Sequence, residues 1–233
     1  MTFLRNNWFR LGFIVFCALA FGALFYAEHL SFTQKLLLAS LMALPLHQFE
    51  EYQFPGGGPV VINRYFYGER DDYLTYPGNW NSIMVVNLSA YVFYLAALAL
   101  PEVVWLGVAT MFFNLYQVLG HCVQMNMKMR TWYNPGMATS VLLFLPISLA
   151  YLCHVVSAGL MTGTAWVLAL AAFVLMAAMT VIAPVQGLKK RNSKHRIPSW
   201  QAERLERVRS FCAVGARNAA AHESNGESKG RVL

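Results

Sequence analysis

Apolar residues in this chain gather into long runs instead of the narrow i, i+3, i+4 stripes of a soluble amphipathic helix. Six runs stand out, at residues 11–27, 36–52, 82–100, 103–124, 137–157 and 165–186. Most approach the ~20 residues that cross a bilayer, so the pattern predicts an all-α, polytopic transmembrane helix bundle of about six spans over residues 1–188. Arg5 and Arg10 precede the first run as in a secretory signal, but no small-x-small cleavage site follows Phe25-Tyr26-Ala27-Glu28, and the run is expected to stay as a span. Residues 53–80 form a connection too long for an idle loop. It holds Gly56-Gly57-Gly58, Arg64 and the aromatics Tyr65, Phe66, Tyr67, Tyr73, Tyr76 and Trp80, and reads as an interfacial lid in which Glu69, Asp71 and Asp72 are solvated. Residues 189–233 read as a cytoplasmic tail. Trp200, Leu205, Val208, Phe211 and Cys212 recur at helical spacing among Arg204, Arg207 and Arg209, which predicts a short amphipathic helix lying on the inner leaflet. The closing HESNGESKGRVL reads as disordered.

Composition supports the membrane reading: 57% of the residues are hydrophobic and 12% charged, too little polar surface for a soluble domain of 233 residues. The net charge of +7 does not require nucleic acid. Arg5, Arg10, Arg64, Arg70, Lys128, Arg130 and Lys189-Lys190-Arg191 all fall on one side when six spans are counted, leaving Lys35 on the other. The positive-inside rule then places both termini in the cytoplasm, for instance of a bacterial inner membrane, with the lipid bilayer as the partner of the excess charge. Cys17, Cys122, Cys153 and Cys212 have no paired spacing and read as small buried hydrophobes.

The second run is the anomalous one. Its purely apolar part, residues 36–46, covers only about 17 Å, so a full crossing must use the His47-Gln48-Phe49-Glu50-Glu51 that follows. Ionisable groups at that depth must face protein or a wet cavity. His47, Glu50 and Glu51 stand at i, i+3 and i+4, on one side of a helix. Other polar groups arrive at the same end: Asn81 and Asn87 on the third run, Asn114, Gln117 and His121 on the fourth, and Tyr133-Asn134-Pro135-Gly136 with Thr139-Ser140 opening the fifth. Asn87, Asn114 and Gln117 serve equally as interhelical glue or as functional groups. His154, at the far end of the fifth run, reads as a packing histidine.

These residues carry a resemblance. His47-x-x-Glu50-Glu51, an Asn and a His on a later span, and Tyr133-x-Pro135-Gly136-x-x-Thr139 look like the HXXEE domain family of integral membrane proteins, over roughly residues 36–150. The likeness implies an enzyme of unassigned activity, in which Glu50, Glu51, Asn114 and Tyr133 are catalytic candidates and either Gln117 or His121 takes the second histidine's place. The residue types allow three chemistries. His47, Glu50, Glu51 and His121 can hold zinc, iron or manganese with a position open to water. A buried glutamate can act as a base without metal, with Asn114 and His121 stabilising an oxyanion. The same groups can relay protons or cations in a carrier. A metal-dependent hydrolase acting on a lipidic or amphipathic substrate from the cytoplasmic leaflet is the leading expectation. The alternatives are a metal-dependent oxidoreductase, a small cation- or proton-coupled transporter and a structural membrane subunit.

Overall fold

In the computed structural model, which describes residues 1–214, the chain is a bundle of antiparallel helices. They are α1 (Thr2–Tyr26), α2 (Phe32–Tyr52), a short α3 over residues 58–66, α4 (Trp80–Ala99), α5 (Val104–Met129), α6 (Met137–Ser157), α7 (Gly163–Leu188) and α8 (Ser199–Cys212). Local signals set several starts. The Ser31 hydroxyl accepts from the Gln34 N–H while the Gln34 side chain accepts from the Ser31 N–H, a reciprocal cap for α2. Asn79 Oδ1 accepts from the Asn81 and Ser82 N–H groups at the head of α4, and Thr162 caps α7.

Polar ties identify the two ends of the bundle. Arg5 donates to Asn81, Arg10 to Gln53, and the Asn79 side chain to the Leu188 carbonyl, so the start of α1, the end of α2, the start of α4 and the end of α7 share one end. At the opposite end Thr33 Oγ1 lies 3.2 Å from His154 Nε2. That contact gives His154 the packing role expected of it.

Five helical stretches are long and apolar enough to cross a membrane: Thr2–His29, Trp80–Ala99, Val104–Met129, Met137–Ser157 and Gly163–Leu188. They present bare apolar side chains outward, among them Phe21, Leu24, Val167, Leu170 and Val174, as lipid-facing surfaces do, and the protein is an integral membrane protein. Of the six predicted runs, α2 is the one outside this set, because its last turn and a half carries His47 and the glutamates. It has 21 residues, 11 of them buried, and packs between α1, α4 and α6. The first helix begins at Thr2, well before the run at residue 11, since Trp8 and Phe9 are drawn into an aromatic cluster with Tyr52 and Trp80.

Two expectations change. Residues 53–79 are a folded segment, with Asn63 at its centre donating to the Tyr73 and Gly78 carbonyls and accepting from the Gly78 N–H. Glu69 and Asp72, expected to be solvated, pair with Arg191. Helix α8 does not keep its buried face for lipid: Gln201, Leu205, Val208 and Cys212, one stripe at i, i+4, i+7 and i+11, are buried against protein. Gln201 receives the Gly57 N–H and donates to the Tyr52 carbonyl, while Arg204 donates to the Gln53 carbonyl. Phe211, counted into the predicted apolar face, is exposed. The closing stretch predicted to be disordered lies outside the described residues. Cys17 and Cys153 are exposed and only Cys212 is buried, so the four thiols do not share one environment.

Candidate functional site

The site forms where the last turns of α2 meet α5 and the head of α6. Neighbouring residues on a helix point about 100° apart, so Glu50 and Glu51 cannot converge on one point. Glu51, at i+4 from His47, shares its face: Glu51 Oε2 lies 3.8 Å from His47 Nε2, and Glu51 Oε1 lies 3.4 Å from His121 Nε2. The two imidazoles stand edge to face, with centroids 5.0 Å apart. His121 sits within residues 120–125, where α5 widens into a π-helical turn, a distortion common at functional sites. His47, Glu51 and His121 are all buried, and one ligand atom from each lies within 4.8 Å of the others.

Glu50 does something else. Its Oε1 accepts from the Tyr133 hydroxyl and the Ala138 N–H, at 2.8 and 3.0 Å, and its Oε2 from the Thr139 N–H and hydroxyl, at 2.8 and 2.5 Å. The two N–H groups belong to the first turn of α6, a helix preceded by Gly136, which has no side chain to cap it. Glu50 is therefore a capping carboxylate supplied from α2, favoured also by the positive end of the helix dipole. With four hydrogen bonds engaging both oxygens, Glu50, read from the sequence as a metal ligand, lies outside the group formed by His47, Glu51 and His121.

The same turn orients both histidines. The single hydroxyl hydrogen of Thr139 goes to Glu50 at 2.5 Å in preference to the Gly136 carbonyl at 3.3 Å. Toward His47 Nδ1, 3.0 Å away, the hydroxyl can only accept. Nδ1 thus carries the ring proton of His47, and Nε2 carries the lone pair, buried and with no hydrogen-bond partner. Asn134 treats His121 alike. Its two amide hydrogens go to the His121 carbonyl and to Asn126 Oδ1, leaving its Oδ1 to accept from His121 Nδ1 at 2.7 Å. Asn134 was visible in the sequence only as a polar residue of the Tyr-Asn-Pro-Gly turn, with nothing to tie it to His121. Gly136 keeps the cluster tight: at φ +101° a Cβ there would meet the His121 ring at 2.4 to 2.9 Å.

With both rings in the neutral tautomers so fixed, three acceptors face one another, an arrangement that a shared cation would satisfy. Two ligand atoms bound tetrahedrally at ~2.1 Å from a zinc-like ion are about 3.4 Å apart, close to the observed spacings. A proton on one Nε2 would join a single pair and leave the other imidazole unpaired.

The remaining predicted residues fall elsewhere. Asn114 is fully buried two helical turns away, about 10 Å along α5, where it receives the Tyr94 hydroxyl and donates to Ser40. The α2 and α5 faces do meet, but at two levels: Ser40 with Asn114, and seven residues on, His47 with His121. Asn114 ties α4 and α2 to α5 through these bonds, as interhelical glue does. Among the described residues the Tyr133 hydroxyl bonds only to Glu50, which ties the turn to α2. Of Gln117 and His121, His121 completes the cluster, while Gln117 lines a cavity beside it. That cavity opens onto Glu51 and His121, with Tyr52, Asn87, Gln117 and Gln124 among its polar residues and Ile83, Val86, Tyr116, Val181 and Val185 among its apolar ones. Tyr52 was read only as the end of a run. Its hydroxyl accepts from Asn87 Nδ2 at 2.9 Å and donates its own hydrogen toward the Glu51 carboxylate.

Residues 38–151, which contain every group of this cluster, match a family described as "Protein of unknown function with HXXEE motif". No curated protein and no solved structure matches the chain.

Proposed function

We propose a membrane-embedded, metal-dependent hydrolase: residues 38–151 match the HXXEE family, whose description assigns no activity, so the function has to come from the cluster. The observation that carries this reading is the pair of outward-locked histidines: both Nδ1 atoms are tied to acceptors, so both Nε2 lone pairs meet the Glu51 carboxylate. A divalent ion held by His47, Glu51 and His121 would polarise a carbonyl or a water molecule at its open position. Tyr52 donates its hydroxyl hydrogen toward Glu51 from the cavity wall, and Thr139 and Asn134 keep the imidazoles in the ligating tautomer, as outer-shell partners of metal-bound histidines do. Two histidines and one carboxylate are also the donor set of non-haem iron oxygenases, which makes a metal-dependent oxidoreductase the second reading.

In this proposal α2 is the sixth crossing and the site lies at the cytoplasmic end, because Arg5, Arg10, Arg64, Lys128 and Lys189 surround that end. The test is elemental analysis of the detergent-purified protein. Close to one zinc per chain is expected, falling at least tenfold in Glu51→Gln and His121→Ala, unchanged in Gln117→Ala, and decreasing as acid protonates the same three lone pairs. Iron in place of zinc would favour the oxidoreductase. No transition metal in wild-type protein, after metal supplementation, would refute both.

A further inference from the structure

The cavity beside the cluster is selective by what its wall lacks. Its charged lining residue is Glu51, and no lysine or arginine lines it. Lys128, the cation nearest in sequence to its lining on α5, is turned outward, donating to the Phe66 carbonyl and lying over the Phe66 ring. Arg64, beside the lining residue Asn63, is paired with Glu206. The polar groups that do face the cavity are neutral. Gln117 and Gln124 make no side-chain hydrogen bond among the described residues, and the Asn87 carboxamide donates to Tyr52 and the Ile83 carbonyl, leaving its oxygen free. Carboxamides left open around an apolar slot suit hydroxyl, ester or amide groups. The wall supplies no lysine or arginine at Gln117 and Gln124, where a head group would lie, so a phosphate held there would lose its hydration without a paired side chain, and the only positive charge within reach would be the ion assigned to the cluster, half offset by Glu51.

Size and position narrow the ligand further. The slot has a volume of about 130 Å³. It is walled by α4, α5 and α7, with α3 at its foot, and Tyr116 on α5 is exposed at its margin on the bundle surface. Val86, Tyr116 and Val181 line its apolar side, and a slot of that volume is small for two acyl chains. On the six-span reading the cluster lies near the end of the bundle, where the ester groups of a lipid monolayer would sit.

Resting on the hydrolase reading above, we propose that the substrate is a neutral single-chain lipid ester or amide, its acyl chain along Val86 and Val181 and its uncharged head against Gln117 and Gln124. In the reaction, the oxygen of water bonds to the acyl carbon, the bond from that carbon to the alcohol oxygen or amine nitrogen breaks, and the leaving group takes up a proton. Fatty acid and a free alcohol or amine are the products.

Binding is measured separately from turnover, by native mass spectrometry of the full chain in maltoside detergent, with 1-monooleoylglycerol against oleoyl lysophosphatidic acid, a phosphate-headed lipid of the same chain. The neutral lipid is expected to be retained at least tenfold better. Val86→Trp and Val181→Trp, which fill the slot from two helices, should each reduce that retention about tenfold while leaving metal content at the wild-type level, which also certifies their fold. Equal or better retention of the anionic lipid, or undiminished retention in both tryptophan variants, would overturn the proposal. Metal-free protein that still selects the neutral lipid would remove the metal reading and leave this one standing. Metal-loaded protein that retains neither lipid would do the reverse.

Discussion

Thr139 connects two tasks through one oxygen atom: its hydroxyl donates to the Glu50 cap and accepts from His47 Nδ1. Thr139→Val keeps the shape and removes both links. Metal affinity should fall by about 10- to 100-fold, the usual cost of losing an outer-shell partner, with Thr139→Ser restoring most of it. A competition titration with a chromogenic chelator measures this, and wild-type affinity in the valine variant would show that the tautomer is set some other way. Gly136 is constrained twice, by its left-handed backbone and by the His121 ring packed where a Cβ would stand. Gly136→Ala should destabilise the protein by about 1–3 kcal/mol from backbone strain alone, and should also displace His121. Thermal unfolding in detergent together with metal content reads both effects. The residue types of the cluster were legible in the sequence, but the division of labour between Glu50 and Glu51 was not. Which of two adjacent carboxylates becomes a ligand depends on what lies 100° around the helix, and for Glu50 that is the head of α6, 88 residues further along the chain.

Among the elements, α8 fastens the end of α2. Gln201, fully buried, satisfies the Tyr52 carbonyl and the Gly57 N–H, and Gly57, at φ +104°, has Leu205 where a Cβ would lie 2.9 Å away. Gln201→Ala leaves two buried backbone groups without partners, at about 1–3 kcal/mol each. The expected result is release of α8: limited proteolysis within residues 189–198 should quicken several-fold, and Glu51, one residue before Tyr52, should hold metal more weakly. Unchanged proteolysis would show that Leu205 and Val208 suffice to hold the helix. The amphipathic period of α8 could be read from the sequence, but its partner could not. A stripe of buried positions specifies a face to be covered, and bilayer and protein cover it equally well until the glycine turn is seen beneath it.

At the scale of the molecule, both ends of the described chain gather at the end of the bundle that holds the site. If α2 crosses with the other five, single cysteines placed in a background lacking Cys17, Cys122, Cys153 and Cys212 should label from opposite sides. Gly159→Cys, in the α6–α7 turn, should react from outside the cell, and Ser193→Cys, after α7, only after the membrane is permeabilised. If α2 did not cross while the N-terminus stayed inside, the two would exchange sides, Ser193→Cys reacting from outside and Gly159→Cys only after permeabilisation, whereas labelling of both from one side would remove α7 from the count. What the sequence determined by itself was the class of molecule and the depth of its polar groups. Apolar run length must match bilayer thickness, and an ionisable residue inside a run must avoid lipid, and both constraints act locally along the chain. What only the tertiary structure decided was which polar groups meet. Ligation and capping act over about 2 to 3 Å, so the rotation of α2, the π-helical turn that places His121 and the left-handed Gly136 separate His47, Glu51 and His121 from Glu50, Asn114 and Tyr133, residues that share their depth or their sequence pattern but not their contacts.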